Sequence, residues 1–174
     1  PDVRALLPER GRFAHKYSRG VLGLAVGSER YPGAALLAAG AALRSGVGAV
    51  RYEGPVDVVS AHPEVLQAEG RVQAWGVGSG LGQTDDARRL LTRVLASDVP
   101  VLIDADGLRL LPKGRLERTA PTLLTPHSVE AGVLLGRSAE EGDARRLDTV
   151  RVLARTYGAG VLLKGPFSLM ADTD

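Results

Sequence analysis

No cysteine occurs among the 174 residues, which excludes disulfide bonds and thiolate metal sites and fits a cytoplasmic protein. Aromatic residues make up 4% of the chain, too few to build the stacking platforms that hold single-stranded nucleic acid. An excess of one charge is missing too. Against 22 basic residues stand 20 acidic ones, for a formal charge of +2 without a long like-charged run, so no nucleic-acid footprint is indicated. No stretch reaches the ~20 apolar residues of a membrane span; the Ala/Leu run at 34–43 is far too short. Three histidines, His15, His62 and His127, are scattered without H-x-x-x-H pairing.

What the chain does have is 44% hydrophobic residues and 22 glycines, enough for one domain with a substantial core. Val21–Val26 is a nearly continuous apolar run, predicted to be a strand buried on both faces of a parallel sheet. Gly27 and Ser28 end it. Gly33 opens an alanine-rich helix from Ala34 to about Arg44, and Gly46 and Gly48 stop that helix before a second strand from Val47. A β-α-β unit of this kind offers a loop at the carboxyl end of its first strand, where open α/β sheets place ligands.

The rest of the chain repeats the theme. A short helix is expected near Val3–Leu7, and strand-like pieces at Val47–Tyr52 and Val56–Ser60. Val72–Val77 runs into the glycine loop Gly78-Ser79-Gly80-Leu81-Gly82, after which Thr84 or Asp85 caps a helix through Ala96. Strand, glycine loop and helix N-terminus in that order suit an anion, although such loops are as often plain tight turns. Val101–Ile103 delivers Asp104 and Asp106, which could hold magnesium through water, or could divide between capping the next helix and bonding a neighbouring loop. Thr122–Leu124 leads to His127, with Ser128 as the expected cap of a helix through Leu135. His127 is either held by a backbone carbonyl or free to face a ligand. Ala144–Tyr157 is predicted to be amphipathic, with Leu147, Val150, Leu153, Ala154 and Tyr157 on one face. Val161–Leu163 ends at Lys164, placed to meet a phosphate or to be solvated, and Phe167–Ala171 reads as an edge arm.

Five strand-loop-helix passages with short connections predict an α/β three-layer sandwich around a mostly parallel sheet. Ser28, Gly33, the 78–82 loop, Asp104, His127 and Lys164 then all fall at carboxyl ends of strands. That convergence predicts a binding crevice on one rim.

The blocks HKYSRGVLGLAVGSERYPGAALLAAGAALRSGVGAV, VGSGLG, LIDADGLRLL, TPHSVEAGVLLG and GVLLKGPFSLMAD, in this order, resemble the ADP- or ATP-dependent NAD(P)H-hydrate dehydratases of the ribokinase-like superfamily, from His15 onward. The resemblance implies one ribokinase-like domain over residues 1–174, and repair of the S epimer of hydrated NADH or NADPH. The donor nucleotide, ADP or ATP with magnesium, phosphorylates the C6 hydroxyl, and phosphate then leaves to restore the double bond. It implies that Ala34, Gly80 and His127 contact the hydrated dinucleotide and that Lys164, Gly165, Pro166, Phe167 and Ser168 bind the adenine nucleotide. Asp104 and Asp106 take a supporting role near the phosphates, and no metal ligand is assigned. Ser79 stands where the family usually has proline, and Val129 where glycine is common. Family members continue with a G-T-G-D block carrying the catalytic base; the resemblance therefore puts that aspartate beyond residue 174, makes the domain C-terminally incomplete, and leads us to expect no turnover from the 174 residues alone. A non-catalytic nucleotide-binding module and another ribokinase-like small-molecule kinase are the alternatives. A homo-oligomer stays open, and neither nucleic acid nor membrane is an expected partner.

Overall fold

The computed structural model describes residues 13, 15–67, 69–138, 140 and 145–173; the helix expected at Val3–Leu7 lies outside them. Short apolar runs punctuated by glycine become strands β1 (Val21–Ala25), β2 (Ala49–Tyr52), β3 (Ala74–Val77), β4 (Val101–Ile103), β5 (Thr122–Leu124), β6 (Gly160–Leu163) and β7 (Leu169–Ala171). They form one sheet in the order β2-β1-β3-β4-β5-β6-β7. All neighbours are parallel except β7, which returns antiparallel along β6. The expected mostly parallel α/β architecture is therefore what forms.

The helices are α1 (Pro32–Arg44), α2 (Asp85–Leu95), α3 (Asp106–Leu110), α4 (Ser128–Leu135) and α5 (Arg146–Tyr157). Alternation along the strands divides the core in two. Val77, Ile103, Leu124, Val161 and Leu163 pack with Leu91 and Val94 of α2, Leu108 of α3, Ala131 of α4 and Val150, Leu153 and Tyr157 of α5. Leu24, Val50 and Tyr52 pack instead with Ala35, Ala39 and Ala42 of α1. The small side chains of α1 allow that close approach: a Cβ at Gly27 would come within 2.7 Å of the Ala35 Cβ. Among the described residues, Leu102 and Met170 remain 40% and 68% exposed, so the α1 layer covers only the β1 and β2 side of its face. No helix among the described residues is long and apolar enough to cross a membrane.

Two local expectations change, and one choice between alternatives is settled. Residues 56–60 form bends and a turn instead of a strand; Val58 is buried under Tyr52, whose hydroxyl accepts from the Val56 N–H (3.3 Å) and donates to the Val26 carbonyl (3.1 Å). A side chain occupies the place of a ladder there. Thr84 caps α2, its hydroxyl accepting from the Ala87 N–H at 3.2 Å. Leu147 does not join the buried face of α5: it is 50% exposed at the first turn, whereas Leu153 is fully buried. Leu153→Ala should therefore cost about 2–5 kcal/mol and Leu147→Ala less than about 1 kcal/mol, a difference that paired urea melts would resolve.

Candidate functional site

The strand order fixes where a ligand can enter. From β1 the chain moves to β2 on one side and then crosses to β3 on the other, so the loops leaving β1 and β3 diverge at their carboxyl ends. A topological switch point of this kind is where open parallel sheets leave a crevice. The loop after β1 is fastened to the loop after β3: the Gly27 N–H donates to the Ser79 carbonyl at 2.8 Å and the Ser28 hydroxyl to the Gly80 carbonyl at 2.8 Å. Gly80 sits at φ +64°, and a Cβ there would lie 2.7 Å from the Ala34 Cβ in the first turn of α1. Ala34 and Gly80, far apart in sequence, thus adjoin at the switch point.

Beside them opens a cleft of about 840 Å³, whose walls include Tyr31, Leu81, Leu90, Arg30, Arg109 and Asp106. Apolar walls with two guanidinium groups, Arg30 and Arg109, and three carboxylates, Glu29, Asp86 and Asp106, suit a ligand that is part ring and part polar. Asp106 steadies the far wall, one of its carboxylate oxygens accepting the Gly82 N–H at 2.9 Å. Of the roles considered for the aspartates, bonding a neighbouring loop is the one Asp106 fills. Neither caps α3, whose N-cap is Ala105 without a side-chain cap. Ala105 is the one positive-φ residue other than glycine among those described, at φ 50°, and backbone strain of this kind gathers at binding and catalytic sites.

Two strands further along, the rim carries a charged cluster. Lys164 leaves β6 in a bridge with His127, its N–H donating to the Pro126 carbonyl at 2.8 Å. Its ammonium lies 2.5 Å from Oδ1 of Asp104 at the end of β4 and 4.0 Å from Oε2 of Glu130. Glu130, with a side chain only 7% exposed, in turn stands 3.6 Å from Nε2 of His127. The expected Ser128 cap is replaced by His127: Nδ1 accepts from the N–H groups of Val129 (3.1 Å) and Glu130 (3.4 Å), while Glu130 Oε2 accepts the His127 N–H at 2.8 Å. This is a reciprocal capping box built on histidine. It also decides the tautomer. With Nδ1 accepting, the proton of the neutral ring lies on Nε2, which is presented at the half-exposed edge as a donor. The backbone-carbonyl role considered for His127 is not the one it plays.

The two clusters touch through Gly78, where a Cβ would fall on the Asp104 carbonyl and within 2.9 Å of the Gly107 backbone. Ser28, Ala34, Gly80, Asp104, Asp106, His127 and Lys164 therefore share one rim. Of these, Ser28 and Asp106 line the cleft itself, whereas Ala34, Gly80, Asp104, His127 and Lys164 do not. Gly165, Pro166, Phe167 and Ser168 are exposed in the β6–β7 connection, with Phe167 at 82%. Gly33 packs against nothing within 4 Å of its Cβ position. Sequence reasoning did not single out Glu130 or Arg146. The H-x-x-E spacing of a capping box was the available signal for Glu130; Arg146 gave none.

Magnesium fits this chemistry in a limited way. No group of three or more histidine or carboxylate side chains suited to a metal exists among the described residues, but a magnesium ion arriving on phosphates needs only one or two protein carboxylates. Asp104 and Asp106, at the two ends of the DAD turn, are the carboxylates on this rim that could do so. One ammonium facing two carboxyl groups also leaves the cluster poor at attracting a bare polyphosphate, so a divalent counter-ion would help it enter.

Similarity to known proteins gives the family and the fold. A family model described as NAD(P)H-hydrate dehydratase matches residues 22–174. The bifunctional NAD(P)H-hydrate repair enzyme Nnr of Mycobacterium leprae is 45% identical over 181 residues, covering 98% of the chain and 38% of the relative. The ADP-dependent (S)-NAD(P)H-hydrate dehydratase of Bacillus subtilis is 33% identical over 190 residues, covering 99% of the chain and 67% of the relative. A crystal structure of the Bacillus subtilis ADP/ATP-dependent NAD(P)H-hydrate dehydratase, co-crystallised with ATP/Mg2+, superposes with a TM-score of 0.88 at 32% identity, over 99% of the chain and 67% of that structure. A ribokinase-like superfamily protein from Enterococcus faecalis shares the fold at a TM-score of 0.80 and 21% identity. The chain thus spans well under half of the mycobacterial relative's length.

Proposed function

Since this chain belongs to the NAD(P)H-hydrate dehydratase family, we propose that it takes part, in the cytoplasm and as a single ribokinase-like domain, in nucleotide-dependent repair of the S epimer of hydrated NADH or NADPH. ADP or ATP supplies the phosphoryl group. It passes to the C6 hydroxyl of the hydrated ring, which gives up its proton; the ring nitrogen then pushes its electron pair toward C6 to expel inorganic phosphate, and loss of a proton from C5 restores the double bond. Hydroxide is a poor leaving group and phosphate a good one, so the transfer creates the exit. Such a reaction depends on positioning and charge stabilisation more than on covalent catalysis.

The residues divide the work. Ala34 and Gly80, in contact at the switch point, form a backbone-lined wall against which the hydrated ring can lie. Nε2–H of His127 donates to the dinucleotide. Lys164 and the Gly165–Ser168 segment receive the donor nucleotide, and Asp104 and Asp106 stand beside its phosphates. Magnesium, when carried by the donor, neutralises charge on those phosphates. The observation that carries the reading is the shared rim: Lys164 reaches Asp104 at 2.5 Å, Asp104 backs onto Gly78, and two residues later Gly80 meets Ala34, so donor and acceptor can lie side by side.

Thermal denaturation with ADP, AMP and the S-hydrated NADPH tests it. Each ligand that binds only the folded state should add about 2.7 kcal/mol at 100 times its dissociation constant. Failure of both adenine nucleotides and of the hydrate to raise the melting temperature would refute the proposal.

A further inference from the structure

Arg146 lies in the first turn of α5, with Asp148 as the acidic residue there and no side-chain cap at Arg145. A cation at a helix N-terminus opposes the helix dipole. A residue that breaks a local rule in this way points to a role set by tertiary structure. Its side chain leaves the helix and gathers the start of the β6–β7 connection. One guanidinium nitrogen donates to the carbonyls of Leu163 (3.3 Å), Lys164 (3.1 Å) and Phe167 (3.2 Å). The other donates to the Ser128 hydroxyl at 2.9 Å, in the residue after His127. The fit is close enough that a Cβ at Gly165 would lie 2.5 Å from the guanidinium.

Peptide planarity gives this arrangement a consequence. In a trans peptide the N–H points opposite to the carbonyl of the same unit. Three carbonyls drawn onto one cation therefore turn the N–H groups of Lys164, Gly165 and Ser168 away from it. The Lys164 N–H is already spent on the Pro126 carbonyl. Those of Gly165 and Ser168 are left as donors on an exposed turn, and backbone amides so placed can receive phosphate oxygens.

We propose that Arg146 is the positioning residue for nucleotide binding: it holds the Lys164–Ser168 turn in the conformation that presents these two amides, and ties that turn to the His127 cap. Arg146 itself touches no ligand. The inference rests on the nucleotide-binding role proposed for Lys164–Ser168. One arm of the fork meets the three carbonyls and the other the Ser128 hydroxyl, so lysine keeps the charge but loses the second arm.

The test measures ADP and S-hydrated NADPH affinities by calorimetry, with melting temperatures, for the wild-type protein, Arg146→Met and Arg146→Lys. We expect ADP binding to weaken about tenfold or more in Arg146→Met, with partial recovery in Arg146→Lys and the hydrate affinity within about threefold of wild type. Should Arg146→Met fail to fold, Arg146→Lys alone decides, by the same split between the two ligands. ADP affinity unchanged in a variant whose melting temperature has dropped would make Arg146 a structural staple only, and would overturn the inference while leaving the wider reading intact. Absence of ADP binding by the wild type overturns both.

Discussion

Gly78→Ala is expected to destabilise the protein by roughly 4 kcal/mol or more, an exceptional value for a single methyl group. Gly78 lies at φ +122°, in a region that side chains rarely adopt, and its added Cβ would collide with the Asp104 carbonyl and stand 2.8 Å from the Gly107 nitrogen. Nothing there can give way cheaply. Both obstacles are backbone, and the Gly107 N–H is engaged with the Asp104 carbonyl. The loop after β3 and the DAD turn after β4 would have to separate, which opens the rim between the two clusters. A domain stable by about 5–15 kcal/mol would lose a large share of its margin. Gly33→Ala is the control, because its Cβ position is open space within a helix; it should be neutral or gain up to about 1 kcal/mol. Urea unfolding of the two variants would show the contrast, and equal stability would show that the β3 and β4 loops are not packed as described.

Lys164→Met carries the largest expected functional effect. It removes the one ammonium set among Asp104, Glu130 and the turn proposed to hold the donor nucleotide. ADP affinity should fall about 100-fold, equivalent to about 2.7 kcal/mol. Stability should change little, since the side chains of Lys164 and Asp104 are 38% and 28% exposed and a solvent-screened pair of this kind contributes about 1 kcal/mol at most. Hydrated NADPH should bind nearly as before. Calorimetric titration of each ligand checks both halves, and an equal loss for the two ligands would mean that Lys164 serves the rim as a whole and not the donor.

Much of this was legible in the chain. β1, β3, β4, β5 and β6 are short apolar runs ended by glycine or by a polar residue, and a parallel sheet buried on both faces demands that composition. The rim followed from the strand ends, because parallel strands deliver their carboxyl termini to the same side. The misreadings turn on a particular side-chain partner or on where the core ends. Ser128 is the better cap by propensity, yet His127 takes the position because Glu130, buried three residues on, closes the box from the other side. Residues 56–60 have the composition of a strand, but the Tyr52 hydroxyl claims the Val56 N–H. Leu147 keeps the helical spacing of the buried face and simply lies beyond the end of the core. Arg146 was invisible, since nothing in a sequence distinguishes a solvated arginine from one that binds three carbonyls across the fold.

The central claim is that one rim holds a donor nucleotide and a hydrated dinucleotide at the same time. Titrating ADP with magnesium into protein already saturated with S-hydrated NADPH measures this directly. One ADP should bind per chain, with an affinity equal to or tighter than in the absence of the hydrate. Competition between the two, so that saturating hydrate abolishes ADP binding, would contradict it.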